Sequence, residues 1–514
     1  MNVSKHKVPN GLRRSRLHVA ILVICQAGRL GAQSAPFQGL DAYVVKAMKE
    51  WEVPGIAISI VRNDSVILAK GYGVRELGKN SPVDERTTFA IGSSTKPFTT
   101  AALQILVDDG KLRWDDPVTA YLPAFQLYDP WVTRELTIRD LVTHRVGLTR
   151  GDLLWSSGRF DRDEILRRIR FLKPAWSFRS RWGYQNIMFI AAGQVVLAAS
   201  GKKWDDFVPE RIFLPLGMTG SSTSSVPRNG ASNAATPHTE VDGVVRPIPY
   251  PNVDIVGPAG SITSNAVDMA QWLRLQLGLG RYGGKRIISE TGVREMHAPQ
   301  TVIQNPMDAV AIGARSAAYG LGWALHDYHG RPVVQHAGQF TGWNAMTVML
   351  PEQNVGFAIL TNRGDGSIKI GLMYRILDLA LGLPERDWSA ELLARAKQAA
   401  AASDSIEKRR TASRATGTSP AAPLSRYAGN YVDSLYGDVR IELEAGKLIL
   451  HYGPNFAADL IHWHYETFRV QWRDRARGST FVTFTLDRFL TPTELKIEQF
   501  ADFRRAQSEP EQYR

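Results

Sequence analysis

Cysteine is nearly missing from this chain: Cys25 is the only one in 514 residues. One thiol excludes an intramolecular disulfide framework and a cysteine metal cluster, and its place near the N-terminus excludes a cysteine nucleophile in the body. Long hydrophobic runs are missing as well. No apolar stretch of about 20 residues follows the N-terminus and the mean hydropathy is −0.20, which excludes a polytopic membrane protein. Strong charge of one sign is absent from the body. The formal net charge is +12, but residues 1–35 hold Lys5, Lys7, Arg13, Arg14, Arg16 and Arg29 and no acid, leaving about half of that excess for the rest. No basic tract is dense enough for a nucleic-acid groove, so nucleic acid is not an expected partner. Neither His-Glu-x-x-His nor Gly-x-Ser-x-Gly occurs, which removes the usual zinc-hydrolase and nucleophile-elbow signals.

What is present divides the chain into four parts. Residues 1–35 place the basic Arg13-Arg14-Ser-Arg16 before the apolar Leu17 to Cys25 and the small residues Gly31-Ala32-Gln33-Ser34-Ala35. That order is a secretory signal peptide. We expect export to a periplasm or beyond, and no stable membrane span once the segment is removed. Residues 36–385 alternate strand-like and helix-like segments. Ile56–Val61 and Ser65–Ala69 read as strands, as do Val333–Gln335, Ala345–Leu350 and Gly356–Thr361. Helical spacing covers Phe98–Leu106, Asn186–Ala199, Asn265–Leu277 and Ile368–Leu381. Strands at both ends with helices between them fit an α+β domain built on a mainly antiparallel sheet. Residues 386–423 read as a connecting helix over Glu391–Lys408, then a flexible Ser/Thr/Ala/Pro/Gly-rich linker over Thr411–Pro423. Residues 424–514 carry short β-rich runs, among them Val439–Leu443, Lys447–Leu450, Phe468–Trp472, Phe481–Leu486 and Leu495–Phe500. This is a small all-β domain.

The search for a serine nucleophile begins with Ser-x-x-Lys, which occurs at Ser4, Ser93, Ser200 and Ser405. A pattern with two fixed positions arises once or twice by chance, so context decides. Ser4 lies in the signal segment and Ser405 in the linker, and Ser200-Gly-Lys-Lys203 reads as a helix stop. Ser93 enters the Phe98–Leu106 helix, where unpaired N–H groups favour a developing oxyanion. Lys96 lies three residues on, on the same face, with Pro97 tolerated in the first turn. A second site, Tyr184-Gln-Asn186, precedes a helix. A tyrosine beside a lysine ammonium acts as a base when the charge lowers its pKa. Tyr250-Pro-Asn252 has the same form but is flanked by prolines and reads as a surface loop. A third site is His336-Ala-Gly338 after a strand. Its glycine admits a substrate to the strand edge, and the N–H of Gln339 is placed to complete an oxyanion hole.

In that order, Ser93-x-x-Lys96, Tyr184-x-Asn186 and His336-x-Gly338 resemble the three motifs of penicillin-recognising serine hydrolases. The resemblance is strongest to the class C β-lactamase-like branch, with its D-alanyl-D-alanine carboxypeptidases, D-aminopeptidases and esterases. Leu136 to Leu148 and Gly257 to Ser264 resemble connecting segments of the same family. The C-terminal part, with Tyr427-Ala-Gly-Asn-Tyr431, resembles the lipocalin-like β-domain appended to such hydrolases. The resemblance implies a β-lactamase/transpeptidase-like fold and an acyl-enzyme on Ser93, with Lys96 assisting deprotonation and Tyr184 shuttling the proton. It implies that Asn186 binds the substrate's acyl-side amide and that Ser93 and Gln339 N–H groups hold the oxyanion, without metal or cofactor. The third motif departs from Lys-Thr-Gly: a mostly neutral His336 replaces a fixed cation. That favours peptidase or esterase relatives over a dedicated β-lactamase. The first expectation is a peptidase on short peptides, D-residue-containing or non-ribosomal, with a small-ester carboxylesterase, a β-lactamase and a non-catalytic penicillin-binding sensor as alternatives. The β-domain is expected to serve packing or oligomerisation, which leaves a homo-oligomer open. Its alternative role is to lay the aromatic segment His462–Phe468 over the catalytic cleft.

Overall fold

A computed structural model describes residue 1 and residues 37–227, 232–304, 314–364, 366–498 and 500–506. The expected signal peptide, Cys25 and the Ser4-x-x-Lys7 pattern lie outside the described residues.

The hydrolase-like part is built on an eight-stranded antiparallel sheet. Its strands are β1 (Gly55–Arg62), β2 (Ser65–Gly73), β3 (Thr301–Val302), β4 (Ala317–Tyr319), β5 (Ala324–Tyr328), β6 (Arg331–Phe340), β7 (Trp343–Leu350) and β8 (Val355–Thr361), in the order β2-β1-β8-β7-β6-β5-β4-β3. Every residue of β7 and β8 is buried, because helices cover both faces and no position along these strands needs to be polar. Alternation then sorts their side chains. Ile58, Ile60, Val348, Phe357 and Ile359 face α1 (Leu40–Glu50) and α5 (Ile368–Leu381). Ala57, Val61, Ala345, Met349 and Leu360 face the larger helical layer, which holds α2 (Lys96–Asp108), α3 (Ile187–Ser200) and α4 (Ala266–Leu277). The α+β expectation is met.

The 25-residue α6 (Trp388–Ala412) leaves this body. Its first turn is docked, Trp388 Nε1 donating to Asp378 at 2.7 Å and Trp51 Nε1 to Ser389 Oγ at 3.0 Å. Its last turns reach the second domain, where Arg410 pairs with Glu498 at 2.7 Å. The segment Thr411–Pro423, expected as a flexible linker, is held along the barrel wall: Arg414 Nε donates to Trp463 O at 2.6 Å and Ala421 N to Glu466 Oε1 at 2.9 Å.

The second domain is a closed up-and-down barrel of β9 (Gly429–Asp433), β10 (Gly437–Glu444), β11 (Lys447–Tyr452), β12 (Phe456–His464), β13 (Thr467–Trp472), β14 (Ser479–Leu486), β15 (Pro492–Ile497) and β16 (Ala501–Arg505). Pairing of Tyr431 with Arg505 and Val432 with Arg504 closes it. Tyr427, Tyr431, Phe468 and Phe484 pack edge to face inside it. This is the lipocalin-like domain expected from the resemblance, with its interior filled by side chains.

Candidate active site

Ser93 sits in a short 3₁₀ turn, Gly92–Thr95, that feeds directly into α2. The sequence Gly-Ser-Ser-Thr-Lys-Pro suits this bend. Gly92 adopts φ +51°, and a Cβ there would lie 2.8 Å from the backbone N of Gln339. Two neighbours pin the turn, Ser94 Oγ donating to His336 O at 2.9 Å and Thr95 Oγ1 accepting from Ile262 N at 3.1 Å, and a third holds the first turn of α2, Thr99 Oγ1 donating to Pro258 O at 2.6 Å. The helix behind is buried through Leu106, with Phe98 stacked on Trp272 at 3.9 Å. The nucleophile turn is therefore rigid.

Lys96 is fully buried and its Nζ reaches Ser93 Oγ at 3.0 Å, Asn186 Oδ1 at 2.8 Å and Ala259 O at 2.9 Å. Burial holds its pKa well below the ordinary lysine value, with Asp152 opposing and Arg150 assisting that shift. A lysine whose charge is disfavoured, beside a serine hydroxyl, is suited to act as its base. Tyr184 lies on the other side of the ammonium position, its ring centroid 4.8 Å from Lys96 Nζ. Here the sequence expectation needs correction. Burial raises the Tyr184 pKa, and a hydrogen bond with Ser93 offsets only part of that, so the residue is a neutral phenol and not a phenolate. Desolvation of the phenolate outweighs the charge of Arg150, which acts the other way.

Asn186 stands at the start of α3, yet its side chain makes no helix cap. It is turned instead to Lys96 through Oδ1 and to Asp152 Oδ1 through Nδ2, at 3.1 Å. A residue type that favours the cap is used for chemistry here, at a cost of about 1 kcal/mol in helix stability. Asp152 in turn receives Arg150 Nε at 2.5 Å and Trp155 Nε1 at 2.7 Å.

His336 is buried on β6, with Nδ1 2.7 Å from the Ala337 carbonyl and Nε2 2.8 Å from Tyr319 Oη. A carbonyl can only accept, so Nδ1 carries the proton and Nε2 accepts from the phenol. Burial pushes the His336 pKa down to about 3, which keeps the ring neutral. Gly338 has no room for a side chain: a Cβ would fall 1.8 Å from Ile91 O and 3.1 Å from Ser93 N. β5 pairs with β6 only as far as Gln335. Beyond it the edge of β6 opens on a cavity of about 460 Å³ lined by Ser93, Tyr184, His336, Gly338 and Gln339. The Gln339 side chain is tied back, Nε2 donating to Gly364 O at 2.9 Å.

The structure thus brings together Ser93, Lys96, Tyr184, Asn186, His336, Gly338 and Gln339. The competing patterns stay apart: Tyr250 hydrogen-bonds Ala235 O at 3.0 Å, Ser200 Oγ is spent on Val196 O at 2.6 Å, and Ser405 Oγ on Ala401 O at 2.8 Å. Sequence reading missed Arg150, Asp152 and Lys369. Arg150 and Lys369 line the cavity, and Lys369 stands out in sequence only as a lysine in the apolar run of α5. The aromatic segment His462–Phe468 does not cover the cleft. It forms the β12–β13 turn, and no described barrel residue lines the cavity.

The family profile described as Beta-lactamase matches residues 40–380. The chain belongs to the beta-lactamase family. This makes it a serine hydrolase of the penicillin-binding/β-lactamase type. A second profile, a Domain of unknown function (DUF3471), matches residues 413–510 and covers the barrel. The unguisins hydrolase ungD' of Aspergillus campestris is 29% identical over 450 residues, covering 80% of this chain and 79% of its own. Penicillin-binding protein 4 of Amycolatopsis lactamdurans is 30% identical over 327 residues, covering 61% of this chain and 82% of its own. Among solved structures, the octameric penicillin-binding protein homologue from Pyrococcus abyssi shares the fold with a TM-score of 0.61 at 21% identity, over 90% of this chain and 99% of its own. No helix among the described residues of this beta-lactamase-family hydrolase is long and apolar enough to cross a membrane.

Proposed function

We propose that this hydrolase is an exported serine peptidase that cleaves short peptides, of D-residue-containing or non-ribosomal kind, through an acyl-enzyme on Ser93. The observation that carries the proposal is the buried Lys96 amine 3.0 Å from Ser93 Oγ. Lys96 takes the hydroxyl proton as Oγ bonds to the carbonyl carbon. Backbone N–H groups of Ser93 and Gln339 receive the oxyanion. Tyr184 hands its phenolic proton to the leaving nitrogen as the C–N bond breaks, and the Lys96 ammonium restores it. Water then hydrolyses the ester by the same path in reverse. Asn186 orients Lys96 and offers its amide to the acyl side of the substrate. Relatives matched over about 80% of this chain are unguisin hydrolases by name, which supports turnover over passive sensing. The basic-apolar-small order of residues 1–35 supports export.

The test uses the signal-free protein and its Ser93→Ala variant on p-nitroanilides of D- and L-amino acids, p-nitrophenyl acetate and butyrate, a D-Ala-D-Ala tripeptide and nitrocefin. Ser93-dependent amide cleavage is expected, and the stereochemistry of the preferred anilide names the pocket. Ester turnover without amide cleavage makes the protein a carboxylesterase. Stoichiometric acylation by nitrocefin without turnover of anything makes it a sensor.

A further inference from the structure

Lys369 is the second residue of α5, whose buried face is mostly apolar but also carries Arg375 and Asp378, and it is 5% exposed. Burying an ammonium costs several kcal/mol unless it is well paired. Two acceptors answer it: Gly338 O at 3.0 Å and Asn344 Oδ1. Asn344 is itself fixed, its Nδ2 donating to Arg363 O at 3.1 Å and Gly364 O at 3.0 Å, so its oxygen can only face the lysine. Gly338 is equally immobile, clamped between this contact and the nucleophile turn.

The Gly338 carbonyl shares a peptide group with the N–H of Gln339. That peptide is trans, so the two bonds point in opposite directions. A cation on the oxygen draws electron density along the amide and makes the N–H on the far side a stronger donor. The far side is where the Gln339 nitrogen approaches the Gly92–Ser93 turn. The oxyanion donor and the lysine are therefore two ends of one dipole.

We propose that Lys369 is a positioning residue for acyl transfer: by holding and polarising the Gly338–Gln339 peptide through the Gly338 carbonyl, it sets the strength of the Gln339 N–H as an oxyanion donor. This rests on the reading of Ser93 as the acylated nucleophile. Burial brings the Lys369 pKa down to about 8, which still leaves the ammonium predominant at neutral pH. Nearby His336 is neutral there and Lys96 is driven toward neutrality, so neither supplies a competing charge.

The experiment is steady-state hydrolysis of p-nitrophenyl acetate by the full chain. This substrate has no charge, so a lost ion pair to a substrate carboxylate cannot affect it. Wild type is compared with Lys369→Met, Lys369→Gln, Lys369→Arg and Ser93→Ala, with circular dichroism and thermal unfolding on each. For Lys369→Met, kcat is expected to fall about 10- to 100-fold with KM within about twofold, since the loss lies in the transition state. Lys369→Gln, which keeps a donor without charge, is expected to lose at least about fivefold and stands in if the methionine variant fails to fold. Lys369→Arg is expected to recover to within about fivefold of wild type. A kcat within about twofold of wild type in the methionine or glutamine variant overturns the proposal. So does a change confined to KM, or a loss in all three variants that follows their thermal stability. Activity surviving in Ser93→Ala would instead overturn the assignment of the nucleophile. An inactive Ser93→Ala beside unimpaired Lys369 variants overturns the role of Lys369 alone.

Discussion

The two domains bury different things. Among the described residues, every buried polar or charged side chain lies between Ser59 and Ser389, and none lies in the barrel. The hydrolase interior holds Lys96, Asp140, His144, His336, Lys369 and Arg375, whereas the barrel interior holds aliphatics and aromatics, tyrosines among them. Buried polar groups are costly and persist where something depends on them. The difference teaches that the chemistry is confined to the first domain and that the barrel acts from outside. Its contacts are structural: Arg159 pairs with Asp438, Asn455 Nδ2 donates to Ser156 O at 3.1 Å, and Arg475 Nη2 donates to Asp242 Oδ1 at 2.7 Å.

The comparison can be broken at either domain. Ser93→Ala should lower turnover by about 10⁴-fold or more, while costing only about 1 kcal/mol of stability at a helix entry; anilide or ester rates beside a thermal melt measure both. Gly338→Ala comes next. Its Cβ has no space beside Ile91 O, so the nucleophile turn must shift, with turnover falling about 100-fold and stability by about 1 to 3 kcal/mol. Acid is the third probe. The unfolded chain protonates His336 below about 6.5, while the folded chain keeps it neutral down to about 3. Its contribution to stability is therefore complete above pH 6.5 and is lost as the pH falls, amounting to about 2 to 3 kcal/mol by pH 4.5. Urea titrations across that range read it. The smallest effect on catalysis is expected from Phe484→Leu in the barrel. It should lower barrel stability by about 1 to 2 kcal/mol and leave kcat of the folded protein unchanged. A matching fall in kcat would show that the barrel takes part in catalysis and dissolve the contrast.

Much of this was legible in the sequence where local rules decide. The helix Ile368–Leu381 follows from its periodic apolar positions and Gly382, which ends it in a left-handed conformation. Ser93 and Lys96 could be paired because three residues at a helix entry set their distance without any tertiary information. Strands β3 to β5 were not read, since two- to five-residue segments carry too little alternation. In the barrel, Gly429–Asp433, Phe456–His464 and Ala501–Arg505 were passed over for the same reason or because His and Asp interrupt the pattern. Asp152 and Lys369 were illegible for another reason. Their meaning lies in Asn186 and Gly338, which are 34 and 31 residues away along the chain. The direction of the Tyr184 pKa shift was not legible, because motif spacing conveys proximity to Lys96 but not the depth at which both are buried.

The single helix that links the domains also fixes their phase. Over its 25 residues α6 rises about 37 Å, and each residue rotates the chain beyond it by about 100°. One inserted or deleted residue would swing Asp438 and Asn455 away from Arg159 and Ser156. Two whole turns would restore the angle but carry the barrel about 10 Å off its seat. The length of this rod is thus as tightly constrained as any residue in the cleft, although most side chains along its middle are exposed to solvent.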